Sequence, residues 1–292
     1  MRSLLKSLSF ILGNLPRALQ KFLGALLGAL AFRIDKKRRN IALDNLNRAF
    51  KGKLTPAEIE RAGKKLFSNL AVMFFEFLSI PWLNRKKVDG FVECVGLENL
   101  KKAASRGKGV ILCTAHFGNW ELQAVYFGIK GYTIDLVVRE ADNPVFEEFI
   151  YWVRTKSSGN NMIYKRRAMR KLLTRLSEKG LVMILMDQNV TRSEGVFVDF
   201  FGTPACTNKG PALLAVASGA PVVPVFMIRT DKGHRIEIQE EIRLVNTGDK
   251  ERDSEENTRR CTKVIEDTIR KYPEQWFWVH RRWKTRPESE EK

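Results

Sequence analysis

The chain contains only three histidines, His116, His234 and His280. His116 ends an apolar run in GVILCTAHFGNWELQAV, and Glu121 follows it after four intervening residues. An imidazole beside a carboxylate makes a general base: the carboxylate holds one tautomer, and the other ring nitrogen takes a proton. On one regular helix the two side chains would point roughly 140° apart and could not meet. If His116 instead lies in a loop and Asn119 caps the following helix, Glu121 falls in the first turn and can reach back to the imidazole. Gly118 supplies the backbone freedom such a turn needs. Two plainer readings stay open, a loop histidine with a satisfied hydrogen bond and a metal ligand. The metal reading is the weaker one, because the HExxH spacing is absent and neither His234 nor His280 has a recognisable ligand partner nearby.

The elements that must position these residues read as strands alternating with helices. GVILCTA, YTIDLVVR, LVMILMD and APVVPVFMIR read as strands, with HRIEIQEEIRL closing the sheet. Between them GNWELQAVYFGI, NPVFEEFIYWVRTKSSG, AMRKLLTRLSEKG and NKGPALLAVASG read as helices. This alternation predicts an α/β fold with a mostly parallel central sheet flanked by helices. In such sheets ligands bind beyond the carboxyl ends of the strands. His116, Arg139 and Asp187 all fall at such ends. Upstream, Arg39 to Phe50 reads as a helix. A second helix runs from Thr55, with Pro56 and Glu58 completing a capping box, to Pro81. Its Phe74, Phe75, Phe77 and Leu78 suit either a greasy groove or a buried core.

The N-terminus carries a second pattern. Leu15, Leu19, Phe22, Leu23, Leu26, Leu27 and Leu30 share one helical face, and Gly24 and Gly28 form a GxxxG pair. Only eleven uncharged residues separate Lys21 from Arg33. They cover roughly 16 Å as a helix, about half of a hydrocarbon core. A hydrophobic, amphipathic helix anchored in a membrane interface, or a short span with snorkelling ends, is expected, and packing on the protein's own core is the alternative. The cluster Lys36, Lys37, Arg38 and Arg39 follows at once, which resists export and keeps the body of the chain cytoplasmic. The expected division is a membrane-associated helix over 1–34, one α/β domain over 35–287 and a disordered tail over 288–292.

The net charge of +18 admits nucleic acid, an anionic membrane or an acidic protein as partner. No zinc-knuckle spacing, RNP-type motif or heptad-bearing basic region supports nucleic acid. The four cysteines, Cys94, Cys113, Cys206 and Cys261, are widely spaced, which speaks for reduced thiols rather than a zinc cage.

HFGNWE resembles the His-x4-Asp/Glu motif of glycerolipid acyltransferases, and more specifically that of the late lauroyl/myristoyl acyltransferases of lipid A biosynthesis. VVREADNP, FIYWVRTKSSGN, MDQN with VFVDFFGTPACTNKGPALLA, and PEQWFWVHRRWKTRP are similar to further segments of that family. RRNIALDNLNRAF after the basic helix fits as well, so the resemblance covers nearly the whole chain. It implies acyl transfer from acyl-acyl carrier protein to a hydroxyl of a lipid A precursor, at the cytoplasmic face of the inner membrane. It implies a general base at His116, held by Glu121, with no cofactor, no metal and no covalent acyl-enzyme. Arg154, Asp187, Arg139 and Asn119 become candidates for substrate binding or for stabilising the oxyanion. Arg154 could meet either the oxyanion or a lipid phosphate, and Arg139 could instead fix the loop at Asn143-Pro144. His280, Arg281 and Arg282 could bind head groups or clamp the C-terminus. The implied partners are acyl carrier protein and an anionic lipid acceptor, with no nucleic acid, and a monomer is expected. Two other functions stay open: an acyltransferase for another glycolipid or a lysophospholipid, with acyl-CoA as possible donor, and a basic non-enzymatic protein of membrane surfaces or nucleic acid.

Overall fold

A computed structural model describes residues 2–165 and 168–288. Pro16 divides the N-terminal segment into α1 (Arg2–Gly13) and α2 (Arg17–Ile34). Asp35 then caps α3 (Lys36–Ala49) by accepting from the Arg38 N–H at 2.9 Å. The expected capping box opens α4 (Pro56–Ser79): the Thr55 N–H donates to Glu58 at 2.8 Å, and the Glu58 N–H donates back to the Thr55 hydroxyl at 3.3 Å.

α2 turns its small residues toward α4. Gln20, Gly24, Gly28 and Phe32 are buried. A Cβ on Gly28 would stand 2.5 Å from the Ser68 Cα, and one on Gly24 would stand 2.8 Å from the Val72 Cα. The glycine pair thus lets two backbones within one chain approach closely. The leucine stripe faces outward, with Phe22 65%, Leu26 61% and Leu30 52% exposed. α1 adds Leu4, Phe10 and Ile11 to that apolar surface. The stripe therefore does not pack on the protein's own core. No helix among the described residues is long and apolar enough to cross a membrane. Within α4, Phe75 and Leu78 are buried while Phe74 is exposed.

The rest of the chain builds the sheet. In order come α5 (Arg85–Asp89), β1 (Val92–Val95), α6 (Leu97–Ala104), β2 (Val110–Thr114), α7 (Trp120–Ile129), β3 (Ile134–Val138), α8 (Pro144–Thr155) and β4 (Asn161–Tyr164). Then follow α9 (Ala168–Ser177), β5 (Leu181–Leu185), β6 (Gly195–Phe200), β7 (Thr203–Asn208), α10 (Gly210–Ser218), β8 (Val222–Arg229), β9 (His234–Ile238) and α11 (Lys250–Lys271). Seven strands lie in the order β1-β9-β8-β2-β5-β3-β4. Every neighbouring pair is parallel except the β8–β9 hairpin. β2 lies centrally and is buried on both faces, as an α/β sheet requires. Ile111 and Cys113 join one core, which includes α3, α4 and the C-terminal tryptophans, while Val110 and Leu112 join the other, with α6 and α7.

Three features depart from the sequence reading. β9 does not close the sheet, because β1 pairs along its outer side. β1, β4 and the 22-residue α11 are additional elements. β6 and β7 form a separate antiparallel hairpin joined by Phe201 and Gly202, both with left-handed φ, 59° and 76°. That geometry suits a two-residue turn. The Phe201 N–H is held by Glu266 of α11 at 2.6 Å. The tail expected to be disordered lies, from 289 onward, outside the described residues.

The close α2–α4 contact makes a direct prediction. Gly28→Leu overpacks a backbone-to-backbone interface, which should cost about 1–3 kcal/mol and lower Tm by about 3–10 °C. Leu26→Ala on the outward face should leave Tm nearly unchanged. Equal shifts in thermal unfolding would overturn this assignment of the two faces.

Candidate active site

β2 ends at Thr114, and the chain turns through His116, Phe117 and Gly118 before α7 begins. Gly118 has φ +58°, and a Cβ there would run into the Met227 carbonyl oxygen. Its N–H donates to the Gln275 carbonyl at 2.8 Å, and the Phe277 N–H donates to the His116 carbonyl at 3.0 Å. The C-terminal segment thus clamps the turn from outside.

The turn delivers His116 to Asp187, at the end of β5. Nδ1 lies 2.8 Å from Asp187 Oδ1, and the His116 backbone N–H donates to Oδ2 at 3.1 Å. The Trp276 indole N–H donates to the same Oδ2 at 2.6 Å. Burial alone would raise the Asp187 pKa. The charge and hydrogen bond of His116 and the Trp276 bond outweigh it and hold the carboxyl below its ordinary value. An ionised carboxylate requires Nδ1 to carry the proton, which leaves Nε2 as the basic nitrogen. The Gln188 amide nitrogen stands 3.3 Å from Nε2. The Trp120 and Phe277 rings flank the imidazole, with centroids 5.3 and 6.0 Å away.

Asp187, not Glu121, therefore makes the hydrogen bond to the imidazole. Glu121 lies in the first turn of α7 as expected, but it faces α8. There the Arg154 Nε and Nη2 donate to its two oxygens at 2.8 and 2.6 Å. Burial would raise the Glu121 pKa, but the Arg154 charge and hydrogen bonds hold it below the ordinary value. Burial would conversely lower the Arg154 pKa, and Glu121 raises it instead. A positive charge on His116 would also favour the ionised form of Glu121, without a direct bond between the two. Two of the five guanidinium N–H groups are used on Glu121, which leaves three donors.

The other candidates separate into the site and its surroundings. Arg139 lies at the lip, 78% exposed, and pairs with Asp142 at 2.6 Å beside the Asn143-Pro144 loop. Asn119 is not a cleft residue. It is fully buried, caps α7 by accepting from the Leu122 N–H at 3.0 Å, and donates to Glu76 at 2.8 Å. His234, for which the sequence showed no partner, also meets Glu76, at 3.0 Å, and Arg229 binds both Glu76 oxygens at 2.7 Å. Burial would raise the Glu76 pKa, yet Arg229 and His234 hold it far below the carboxylate range. His280 and Arg282 are the structural clamp. The His280 Nε2 accepts from the Asn189 N–H at 3.0 Å, and buried Arg282 donates to the Cys206 carbonyl at 2.8 Å and to the Thr207 hydroxyl. Arg281 is exposed.

These parts border a cleft of about 400 Å³, lined by His116, Glu121, Arg154 and Gln188 with an apolar wall including Leu136 and Met183. Among the described residues no group of three or more His, Cys, Asp or Glu could hold a metal ion. A base, a cation and an apolar wall suit proton abstraction from a hydroxyl next to a carbonyl whose chain is apolar. The sequence reading missed Trp276 and Gln188. The only signals for them were their places, in an aromatic run and directly after a strand-end aspartate.

The buried charges predict acid sensitivity. Glu76, Glu121 and Asp187 all titrate below their ordinary values, so the unfolded chain takes up protons before the folded one. Their stabilisation is complete above about pH 5 and is lost as pH falls through about 4 and below. Buried His234, its pKa lowered by burial, acts in the same sense below about pH 6.5. Urea unfolding from about pH 7 to 3 should show a falling midpoint, and a flat profile would refute the reading. Glu76→Gln should remove part of that slope. It should also cost about 3–5 kcal/mol near neutrality, because Arg229 stays buried without its partner.

The profile of the bacterial lipid A biosynthesis acyltransferases matches residues 2–285. The chain is 30% identical to the lipid A biosynthesis lauroyltransferase of Escherichia coli K12, over 94% of its own length and 89% of that protein's. It is 29% identical to the lipid A biosynthesis palmitoleoyltransferase of the same organism, over 95% and 89%. The 1-acyl-sn-glycerophosphate acyltransferase PlsC of Thermotoga maritima aligns at 14% identity and a TM-score of 0.38, covering 86% of this chain and 98% of that one. With a family match running almost from end to end, the chain belongs to the bacterial lipid A biosynthesis acyltransferases and is an acyl-transferring enzyme.

Proposed function

We propose that this enzyme moves a fatty acyl chain from acyl-acyl carrier protein to a hydroxyl of a lipid A precursor, at the cytoplasmic face of the inner membrane. The observation that carries the reading is the His116 imidazole, tied through Nδ1 to buried Asp187 while Nε2 borders an apolar cleft.

The lipid hydroxyl takes the place of the Gln188 amide at Nε2. Its oxygen attacks the thioester carbonyl as its proton passes to Nε2. Asp187 stabilises the imidazolium that forms, in the manner of a catalytic triad whose nucleophile is the substrate itself. The tetrahedral oxyanion is met by the remaining Arg154 donors, which Glu121 fixes in place. Collapse forms the ester and breaks the carbon–sulfur bond, and the imidazolium returns its proton to the leaving thiolate. Glu121 thus serves catalysis through Arg154. No acyl-enzyme is formed, and no cofactor takes part.

The surface supports the setting. The exposed apolar residues of α1 and α2 suit a molecule lying in a bilayer interface rather than spanning it. Lys36 to Arg39 directly after α2 favour the cytoplasmic side. The charge of +18 draws both an acidic carrier protein and an anionic lipid.

The test uses purified enzyme, acyl-acyl carrier protein and a Kdo-bearing lipid A precursor, with products followed by mass spectrometry. His116→Ala should lose about 10²-fold or more in kcat, and retention within about threefold would sink the assignment of the base. Arg154→Lys keeps the charge but not the two-point grip on Glu121, and should also lose kcat with KM little changed. Transfer to a lysophospholipid in place of the lipid A precursor would overturn the acceptor.

A further inference from the structure

A second cavity of about 330 Å³ opens under the corner between α1 and α2 and shares no lining residue with the catalytic cleft. Its lining combines apolar Leu15, Leu83 and Phe91 with Arg17, Lys87 and Trp82. The charges around it do not cancel. Glu76 also borders the cavity, but its oxygens already accept four hydrogen bonds, two from Arg229 and one each from His234 and Asn119. Four is about the full capacity of a carboxylate. Arg229 balances its charge, and burial keeps His234 toward its neutral form.

Arg17 is left over. Its guanidinium stacks 3.0 Å from the centre of the Phe91 ring, and among the described residues no acceptor engages it. Burial lowers its pKa to about 10, with Glu76 opposing and Arg229 adding to the effect. Arg17 borders the cavity as an exposed residue, so its N–H groups are open to a ligand. The Trp82 indole N–H is also buried and without an acceptor. The Lys87 ammonium spends one proton on the Trp82 carbonyl at 2.9 Å and keeps two. The cavity therefore carries several donors and a surplus positive charge.

The surroundings distinguish a lipid phosphate from a free one. The Trp82 ring packs against Phe10, which is 55% exposed on the apolar face of α1, with centroids 5.0 Å apart. Lys156 lies over the Trp82 ring at 4.4 Å, and Lys6 over the neighbouring Trp152 at 5.3 Å. Tryptophan and lysine at the border of an apolar surface mark the headgroup level of a bilayer.

We propose that this cavity binds the phosphate of an anionic phospholipid headgroup, with Arg17, Lys87 and the Trp82 N–H as donors and the lipid chains running out along α1 and α2. The site is independent of the acyl-transfer reading, since its occupancy needs neither donor nor acceptor substrate.

The test is calorimetric titration of the full-length protein with dihexanoyl phosphatidylglycerol below its micelle threshold, with dihexanoyl phosphatidylcholine and with inorganic phosphate. Saturable one-to-one binding of the phosphatidylglycerol is expected, at least about tenfold tighter than inorganic phosphate. Arg17→Gln should weaken it about tenfold or more, because a charge-assisted hydrogen bond is lost. Trp82→Phe, which keeps the ring and removes only the N–H, should weaken it by a smaller factor. Lys36→Gln, which removes a charge beyond the other end of α2, should change nothing. Equal affinity for inorganic phosphate would make this a simple anion site and overturn the lipid assignment. Phosphatidylcholine binding equally well, or binding unaffected in both Arg17→Gln and Trp82→Phe with thermal unfolding unchanged, would overturn the site itself.

Discussion

Asp187 is a carboxylate almost without contact with water, 3% exposed, and three donors keep it there: the His116 ring, the His116 backbone and the Trp276 indole. A buried charge is tolerated only when its hydrogen bonds replace those of water. Satisfying this one joins three separate stretches of chain, namely the end of β5, the turn after β2 and the C-terminal aromatic run. The tautomer of His116, the direction of its free nitrogen and the path of the C-terminus all follow from that requirement. The aromatic residues around it, Trp276 against Phe200 and Trp278, exclude the water that would otherwise compete for the carboxylate.

The start of α7 is held from two sides by charges of its own. Asn119, its cap, is bound by Glu76, whose charge Arg229 neutralises and which His234 also meets by a hydrogen bond. Two residues on, Glu121 is gripped by Arg154 from α8. Between them stands Trp120, against the His116 ring. The cleft wall is thus braced from α4, α8, β8 and β9. Geometry of that kind, fixed before substrate arrives, lets donors act on a developing charge without first reorganising.

The central strands and the helices between them were legible because parallel strands buried on both faces read as apolar runs, as VILCT and LVMIL do. The four-residue strands β1 and β4 lack the length for a signal. α11 escaped because its exposed faces dominate its composition and its buried side is partly polar, including Asn257, Thr258 and Glu266. The β6–β7 turn uses Phe-Gly rather than Asn-Gly or Asp-Gly, with Phe201 stabilised by a contact 65 residues away. In the site, the hydrogen bond to the His116 imidazole was expected from Glu121 and is made by Asp187. Sequence distance favours Glu121, whereas β2 and β5 are neighbours with Thr114 opposite Leu185. Two residues beyond each, His116 and Asp187 emerge at one height. No local pattern encodes strand order, so that juxtaposition is visible only in the fold.

The outward leucines of α2 also set how the protein behaves away from lipid. Two effects oppose each other between free molecules: the longer-range repulsion from the net charge of +18 and the contact attraction between the apolar faces of α1 and α2. Added salt shortens the reach of the repulsion to about 8–10 Å at 0.1–0.15 M. It does nothing against the attraction, which sulfate or phosphate strengthens. Such a surface is expected to stay dispersed best at low ionic strength, and added sulfate is expected to favour self-association through the apolar faces of α1 and α2.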